Sequence, residues 1–282
     1  MKKFFVYIFL LCLCIKAVPQ INQINGEVND YYEVVDVQNT YVDLSSPPSL
    51  QPGDKVILMQ MTGVETAGAF PTSNLAPVSP RNAGRFEMLA VNNVDVNRVY
   101  FTVEITASNY TPDEKIQLVK IYEADYATVT GQVRAKEWDG TTGGVIALVI
   151  FKRLTLNDDI IASNSGFIGG LVEPGSPGVC RSFVADTFYF HNSVNGIAGS
   201  KGEGIMEISL STNFNYSKGP GAFVTGGGGG LGWFAGGGGG SHWGSGGLGG
   251  GQKQPSCSYN KNASGGYALN GLYADDDRVI LA

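Results

Sequence analysis

The chain has 282 residues and a net charge of −6, and only 16% of its residues are charged. An acidic balance of this kind does not attract nucleic acid or an anionic membrane surface, so neither is expected as a partner. Glycine accounts for 40 of the 282 residues, which is about twice its share in average proteins.

The first 17 residues are typical of a secretory signal peptide. Lys2 and Lys3 precede an apolar run over 4–15, and Lys16 and the small residue Ala17 follow it. A run of 12 residues is too short to cross a bilayer core of about 30 Å. We therefore predict a signal peptide over 1–17 with cleavage after Ala17.

Removing this leader makes the chain more acidic. Three lysines leave with it, so 16 basic residues face 25 acidic ones and the net charge becomes −9. No later apolar run approaches the roughly 18 residues of a membrane span, so the mature chain is predicted to be secreted, at the extracellular cell surface. A lipoprotein leader with Cys12 or Cys14 lipidated is the alternative, although Leu11 and Leu13 stand where a small residue is expected.

Residues 18–126 carry strand signals that predict a small β-barrel or sandwich. Residues 98–105 alternate between apolar and polar, and the run 86–91 forms a hairpin with them across the polar stretch 92–97. Four or five short strands of this kind enclose one core of about 100 residues. The other predicted features are a turn at 51–54, strands over 56–61 and 116–122, and an excursion with three prolines over 62–82.

Residues 127–282 are predicted to form a β-solenoid-like, glycine-rich domain. Short strand-like runs at 145–151 and 205–210 are separated by glycine-bearing turns. The segment 154–170 has the pattern of one solenoid rung, with aliphatic residues stacking inward and Asn or Gly at the corners. The predicted fold class is therefore all-β, a small β-barrel or sandwich followed by a β-solenoid-like, glycine-rich region.

The segment 226–251 is the strongest compositional signal, because 17 of its 26 residues are glycine. One interpretation is a flexible linker, since ordering glycine costs more backbone entropy than ordering any other residue. The other is a packed layer of polyproline-II strands that hydrogen-bond laterally. Large apolar residues interrupt the glycines and favour packing. The candidate contact residues are Trp233, Phe234, His242 and Trp243.

Motifs of known catalytic and metal sites are not found in the sequence. It contains no H-E-x-x-H, no G-x-S-x-G and no Gly-Lys before Ser or Thr, and its histidines, His191 and His242, share no ligand spacing. We therefore predict no catalytic residue, no metal, no cofactor and no enzyme activity. The acidic run 275–277 is read as a solvated turn, with a calcium site as the alternative.

Two cysteines remain after removal of the leader, Cys180 and Cys257. Outside the cytoplasm they face an oxidising environment, where a disulfide between them would constrain the unfolded chain by about 4 kcal/mol. Two unpaired thiols are equally compatible with the sequence, because spacing alone does not give the distance between the two Cα atoms.

Three segments carry a resemblance to a known class of proteins: 51–61 (QPGDKVILMQM), 84–91 (GRFEMLAV) and 138–147 (WDGTTGGVIA). Followed by the rung-like segment and the glycine tract, they resemble the amino-terminal region of large secreted bacterial surface proteins. These include gliding-motility proteins of the AgmC type and Bacteroidota adhesins exported by the type IX system. The resemblance implies a role in adhesion, gliding motility or biofilm, and a chain truncated at its carboxyl end.

The protein is therefore expected to act by binding a partner rather than by catalysing a reaction. The leading hypothesis is a secreted cell-surface adhesin or structural protein that binds a glycan or a protein through its β and glycine-rich surfaces. One alternative is a β-helical polysaccharide hydrolase or lyase that uses the carboxylates of Asp158 and Asp159. Another is a subunit of an export or motility machine.

Overall fold

The computed structural model describes residues 20–67, 75–172, 198–206, 217–230, 235–251, 262–273, 278–279 and 281. These ranges contain strands, one short 3₁₀ turn and no α-helix, so the predicted all-β class is confirmed. None of their helical segments has the length and apolarity of a membrane span. The predicted signal peptide lies outside the described residues.

Twelve strands occur in the described ranges, and six of them close a barrel in the order β2-β3-β8-β7-β4-β9. Closure leaves this sheet without a free edge. The strands are β1 (Asn22–Glu27), β2 (Tyr31–Gln38), β3 (Tyr41–Leu44), β4 (Lys55–Gln60), β5 (Glu65–Ala67), β6 (Ala76–Ser79), β7 (Phe86–Asp95), β8 (Arg98–Phe101), β9 (Ile116–Lys120), β10 (Tyr122–Arg134), β11 (Leu148–Leu156) and β12 (Ile160–Ile161).

The barrel interior is filled by inward-facing aliphatic side chains. Val42, Leu44, Val56, Leu58 and Leu118 are fully buried there. They alternate along their strands with residues that face outward, as the period of two in a pleated strand requires. The spacing of the strand signals predicted a small barrel or a sandwich, and the structure has the barrel. Within the predicted excursion, β5 and β6 form a separate hairpin.

The hairpin β7–β8 differs from the prediction in its extent. Strand β7 continues to Asp95, so the stretch expected to be a connector is mostly strand. Strand β8 ends at Phe101 rather than at Ile105, and Val103, expected on the buried face, is 56% exposed. The predicted eight-residue strand is wrong because the chain leaves the ladder early, and the amide of Ile105 donates to the carbonyl of Asn39 instead.

The turn of this hairpin holds a strained residue that provides a stability test. Val96 has φ +54° and is 72% exposed. A β-branched residue is disfavoured in this region by about 1–2 kcal/mol, whereas glycine enters it freely. We expect Val96→Gly to raise the free energy of unfolding by about 0.5–1 kcal/mol, after the entropic cost of glycine is subtracted. Urea denaturation measures the change, and a loss of stability would show that the Val96 side chain contributes contacts that outweigh the strain.

A second sheet connects the start of the chain to its middle. Strands β1 and β11 lie on either side of β10, and all three are parallel. The side chains of Ile24, Ala127, Val129 and Val133 form its buried core. The domain boundary predicted after Tyr126 falls inside β10.

The rung predicted over 154–170 is partly correct. The chain runs through the end of β11, turns, and pairs again with β10 through β12. Asn164 has φ +63° at a corner, where Asn or Gly was expected. The expectation that the aliphatic residues stack inward holds for Leu154, which packs against the core of the parallel sheet, but not for Leu156 and Ile168, which are 61% and 42% exposed.

Candidate functional site: the glycine bundle and its cleft

Six segments, extended over most of their length, pack side by side after residue 197: 198–205, 217–222, 224–230, 235–241, 244–250 and 262–269. The third of them begins in a turn, where Val224 has φ +49°. We call them the glycine bundle. They are joined by backbone hydrogen bonds between different segments rather than by continuous β-ladders, and the described bridges Ser200↔Lys218 and Phe223↔Gly226 are isolated.

Hydrogen bonds in the bundle repeat every three residues. The amides of Gly199 and Gly202 donate to the carbonyls of Gly230 and Gly227, at 2.7 and 2.9 Å. On another side of the segment 224–230, the amides of Gly238 and Ser241 donate to the carbonyls of Gly228 and Thr225, both at 2.8 Å. A period of three with lateral bonding is the geometry of polyproline-II strands. The described part of the tract is therefore packed.

Close approach of backbones explains why the interior positions are glycine. A Cβ on Gly229, Gly238 or Gly246 would collide with a carbonyl oxygen of a neighbouring segment. On the outer side of the bundle a Cβ on Gly247 would meet nothing within 4 Å. The segments thus lie too close together to accommodate side chains in the interior of the bundle. On its outer side the glycine backbone is exposed to solvent.

Lys201 is a buried lysine within the bundle. Its Nζ donates to the carbonyls of Gly219, at 2.8 Å, and of Gly221, and it lies 5.2 Å from the ring centroid of Phe223. Burial lowers the pKa of Lys201 well below its usual 10.5. The carbonyl of Gly219 also accepts the amide of Gly229 at 2.8 Å, so Lys201 adds a second donor there and supplies one to the buried carbonyl of Gly221.

Two of the predicted contact residues lie on the outer part of the bundle. His242 and Trp243 are exposed, Trp243 by 49%, and Leu248 a few residues later is 75% exposed. These side chains belong to the turn and the segment that follow 235–241. Trp233, Phe234, His191, the cysteines Cys180 and Cys257, and the acidic run 275–277 lie outside the described residues.

A cleft of about 500 Å³ lies between the outer surface of the barrel and the residues 138–146 and 162–167, and it is also lined by His242, from the turn that follows 235–241, and by Val279 and Leu281. Six side chains characterise its lining: Met59, Met61, Phe86, Trp138, Phe167 and His242. Of these only His242 was predicted as a functional residue. The sequence signal that could have found the cleft is the unbroken apolar run at 56–59, which indicates a strand covered on both faces.

Trp138 has a fixed position in this cleft. Its Nε1 donates to a carboxylate oxygen of Glu203 at 2.9 Å, and that oxygen also accepts the amide of Ile168 at 3.0 Å. The Phe167 ring stands edge-on to the indole with 5.3 Å between ring centroids. A ring held by a hydrogen bond and an aromatic contact is preorganised for packing against a ligand.

The loop 138–144 that carries Trp138 is organised by the carboxylate of Asp139. This carboxylate accepts the amides of Thr141 and Thr142, at 2.9 and 2.8 Å, and the Nζ of Lys136 at 2.7 Å. Gly143 has φ +123°, and its backbone amide and carbonyl both bond to the buried side chain of Gln117. Of the three segments on which the resemblance was based, 138–147 thus contributes a loop to the wall of the cleft.

Asp139 gives a pH test of this loop. Burial alone would raise the pKa of Asp139, but hydrogen bonds from Lys136 and from the amides of Thr142 and Thr141 outweigh it, so the pKa lies well below 3.8. A carboxylate with a lowered pKa stabilises the fold above its unfolded value and loses this contribution as the pH falls through its folded value.

We expect Asp139→Ala to lower the free energy of unfolding by about 1–2 kcal/mol at neutral pH, because the carboxylate is partly exposed and its bonds are partly screened. The difference in the free energy of unfolding between the variant and the unmodified protein should become smaller as the pH falls below 3.8. Urea denaturation at neutral and acid pH measures both effects. A difference that is constant with pH would show that the charge of Asp139 is not involved.

The carboxylates considered for the enzymatic alternative lie on an open turn. Asp158 and Asp159 are both exposed, and a carboxylate oxygen of Asp158 accepts the amide of Asp159 at 2.8 Å. This bond is local and caps the turn between β11 and β12. Within the described ranges no three His, Cys, Asp or Glu residues are grouped as metal ligands.

No protein-family model and no curated protein matches the sequence. Three solved structures are similar to part of the chain. They are the tailspike gp61 of Pseudomonas phage phi297 (18% identity, 39% of this chain and 17% of that one, TM-score 0.24), the gp54 tailspike of Acinetobacter baumannii bacteriophage AP22 in complex with A. baumannii capsular saccharide (16%, 46%, 22%, 0.24), and the tailspike gp49 of Pseudomonas phage LKA1 (17%, 49%, 23%, 0.23). The matches span about a fifth of each tailspike, and TM-scores this low carry no conclusion about this chain.

Proposed function

We propose that the chain is an exported cell-surface protein that adheres to a glycan or to a protein surface through its glycine bundle, without catalysing a reaction. The leader at 1–17 and the resemblance to secreted surface proteins support export and a role in adhesion. Gliding motility or biofilm formation is the setting that the resemblance suggests.

One observation carries the proposal: a hydrogen-bonded scaffold that exposes large apolar side chains. The lateral bonds fix the backbone of the segments on either side of Trp243, since Gly239 donates to the carbonyl of Gly247 at 2.9 Å. Trp243 and Leu248 are nevertheless exposed to solvent. Exposed apolar groups on a rigid support lose little conformational entropy when they bind, which is how aromatic contact residues contribute to affinity.

Binding to a panel of immobilised polysaccharides and to whole bacterial cells tests the proposal. The double variant Trp243→Ala with Leu248→Ala is expected to bind at least tenfold more weakly than the unmodified protein. Val172→Ala is the matched control, because Val172 is 97% exposed but lies outside the bundle. Equal loss in both variants, or no loss in the double variant, would remove the bundle from the binding surface.

The same panel separates adhesion from polysaccharide cleavage. We expect no release of reducing ends during long incubation with any polysaccharide that is bound. Release that disappears in Asp158→Ala and Asp159→Ala would instead establish the hydrolase or lyase alternative.

Export is tested in a bacterial host that carries the full chain or a variant without residues 2–17. We expect the full chain outside the cytoplasm, where intact-mass spectrometry should give the mass of a protein that begins at the residue after Ala17. The shortened chain is expected to remain inside the cytoplasm. Retention of the full chain in the cytoplasm would contradict the proposed location.

A further inference from the structure

The cleft beside the glycine bundle has a composition different from that of the outer surface. Its lining residues Met59, Met61 and Trp138 are 3%, 5% and 6% exposed, and Ser165 and Leu281 are also buried, whereas Phe86 is 39% exposed. The cleft therefore extends from solvent to a buried cluster in which Met59, Met61 and Trp138 pack with Ile205, Val224 and Leu269 of the bundle. Its volume of about 500 Å³ falls in the range of small-molecule sites.

None of the described lining residues is Asp, Glu, Lys or Arg, and Ser165 and His242 supply its polar side chains. A sugar would lose hydrogen bonds to water in such a cleft without receiving enough in return. An uncharged aliphatic group loses no hydrogen bonds on entering the cleft, and its binding is favoured because apolar surface is removed from water. The chemistry of the lining thus selects a ligand different from the glycan proposed for the bundle surface.

The walls combine rigid and adaptable parts. Trp138 is held by Glu203 and Phe167, as described above, and gives one wall a fixed shape. Met59 and Met61 on the barrel side have unbranched, flexible side chains that adjust to ligands of variable outline. His242 is exposed at the rim, where the polar end of a ligand remains in contact with water.

We propose that this cleft binds the aliphatic chain of an amphiphile, with the chain inserted between Met59 and Trp138 and the polar head at the rim beside His242. The lining of this cleft does not include Trp243 or Leu248, although His242 at its rim precedes Trp243 in the chain. The cleft gives the protein a second ligand, of the fatty-acyl class, besides the glycan or protein surface.

Decanoate, kept below the concentration at which it forms micelles, is the probe. The chain has three tryptophans, so the variant Trp233→Phe with Trp243→Phe leaves Trp138 as its single indole reporter. We expect a saturable change in Trp138 emission that fits one site, and calorimetry on the unmodified protein should give the same dissociation constant. An unsaturable or linear response would overturn the proposal.

Two substitutions that reduce the volume of the cleft make the test specific. Val145→Phe narrows it from within, and Ala162→Phe narrows it at an exposed position of the rim where the fold is not at risk. Each is expected to weaken decanoate binding at least tenfold while polysaccharide binding is unchanged. Val103→Phe is the control, since Val103 lines a separate cavity of about 300 Å³. Equal affinity in all three variants would show that decanoate does not occupy the cleft.

Discussion

Replacing Gly238 with alanine is expected to unfold the glycine bundle. The amide of Gly238 donates to the carbonyl of Gly228 at 2.8 Å, and a Cβ at this position would collide with the carbonyl of Ser264. Both neighbours are backbone, so neither can move aside as a flexible side chain would. Overpacking costs about 1–3 kcal/mol, and the upper end applies where the colliding atoms are backbone. Amide exchange of the segments 224–230, 235–241 and 262–269 should accelerate together, while the exchange of the barrel strands is unchanged.

Gly247→Ala is the matched control for this prediction. Gly247 lies in the neighbouring segment, its φ is outside the left-handed region, and its Cβ would meet nothing within 4 Å. We expect a change within about 1 kcal/mol, in the stabilising direction, because alanine restricts the unfolded chain more than glycine does. Equal destabilisation by the two substitutions would show that the bundle requires glycine for conformational freedom rather than for close packing.

The barrel could be predicted from the sequence because its signals are local. Alternation at residues 98–101 and the apolar run at 56–59 each identify a strand within a few residues. The end of β8 could not be predicted, since Val103 continues the alternating pattern but faces solvent. What ends the strand is a hydrogen bond between Ile105 and Asn39, and these residues are far apart in the sequence.

The parallel sheet could not be predicted because its pairing joins distant segments. Strand β1 precedes the barrel and pairs with β10, which follows it. The residues of β1 are mostly polar, and only Ile24 is fully covered. A strand of this composition gives a weak local signal, and its partner is decided by the closure of the barrel between the two.

The composition of the glycine tract favoured packing over a flexible linker, but it did not assign single glycines to the interior or the surface. Large apolar residues among the glycines predicted a packed layer, and the lateral hydrogen bonds agree with it. Gly238 and Gly247 are indistinguishable in the sequence, yet a Cβ on Gly238 would collide with the backbone of Ser264, whereas a Cβ on Gly247 would meet nothing within 4 Å. The difference depends on the order in which the segments stack, and composition carries no information on that order. The cleft was missed for the same reason, since its walls come from segments that meet only in the folded chain.

Asn29 is expected to be the most sensitive polar residue outside the bundle, because it connects the barrel to the parallel sheet. Its Nδ2 donates to the carbonyls of Lys120 and Ala147, at 2.8 and 2.7 Å, and its Oδ1 accepts the amide of Ala147 at 3.0 Å. The side chain is 7% exposed, so water cannot readily replace it. Asn29→Ala removes three hydrogen bonds and leaves the carbonyl of Lys120 and the amide of Ala147 without this partner, whereas the carbonyl of Ala147 still accepts the amide of Tyr122 at 3.0 Å. The variant should lower the free energy of unfolding by about 3 kcal/mol.

Two further variants separate the role of these bonds from a general effect of substitution near β1. Asn25→Ala removes the same side chain from an exposed position of the strand and should change stability by less than about 0.5 kcal/mol. Asn29→Asp keeps the acceptor for the amide of Ala147 but places a carboxylate against two carbonyl oxygens, so we expect it to destabilise the fold at neutral pH and to recover in acid, where a protonated Asp can donate again. Chemical denaturation at both pH values measures this recovery. If the stability of Asn29→Asp did not depend on pH, donation to Lys120 and Ala147 would not be what holds the barrel against the sheet.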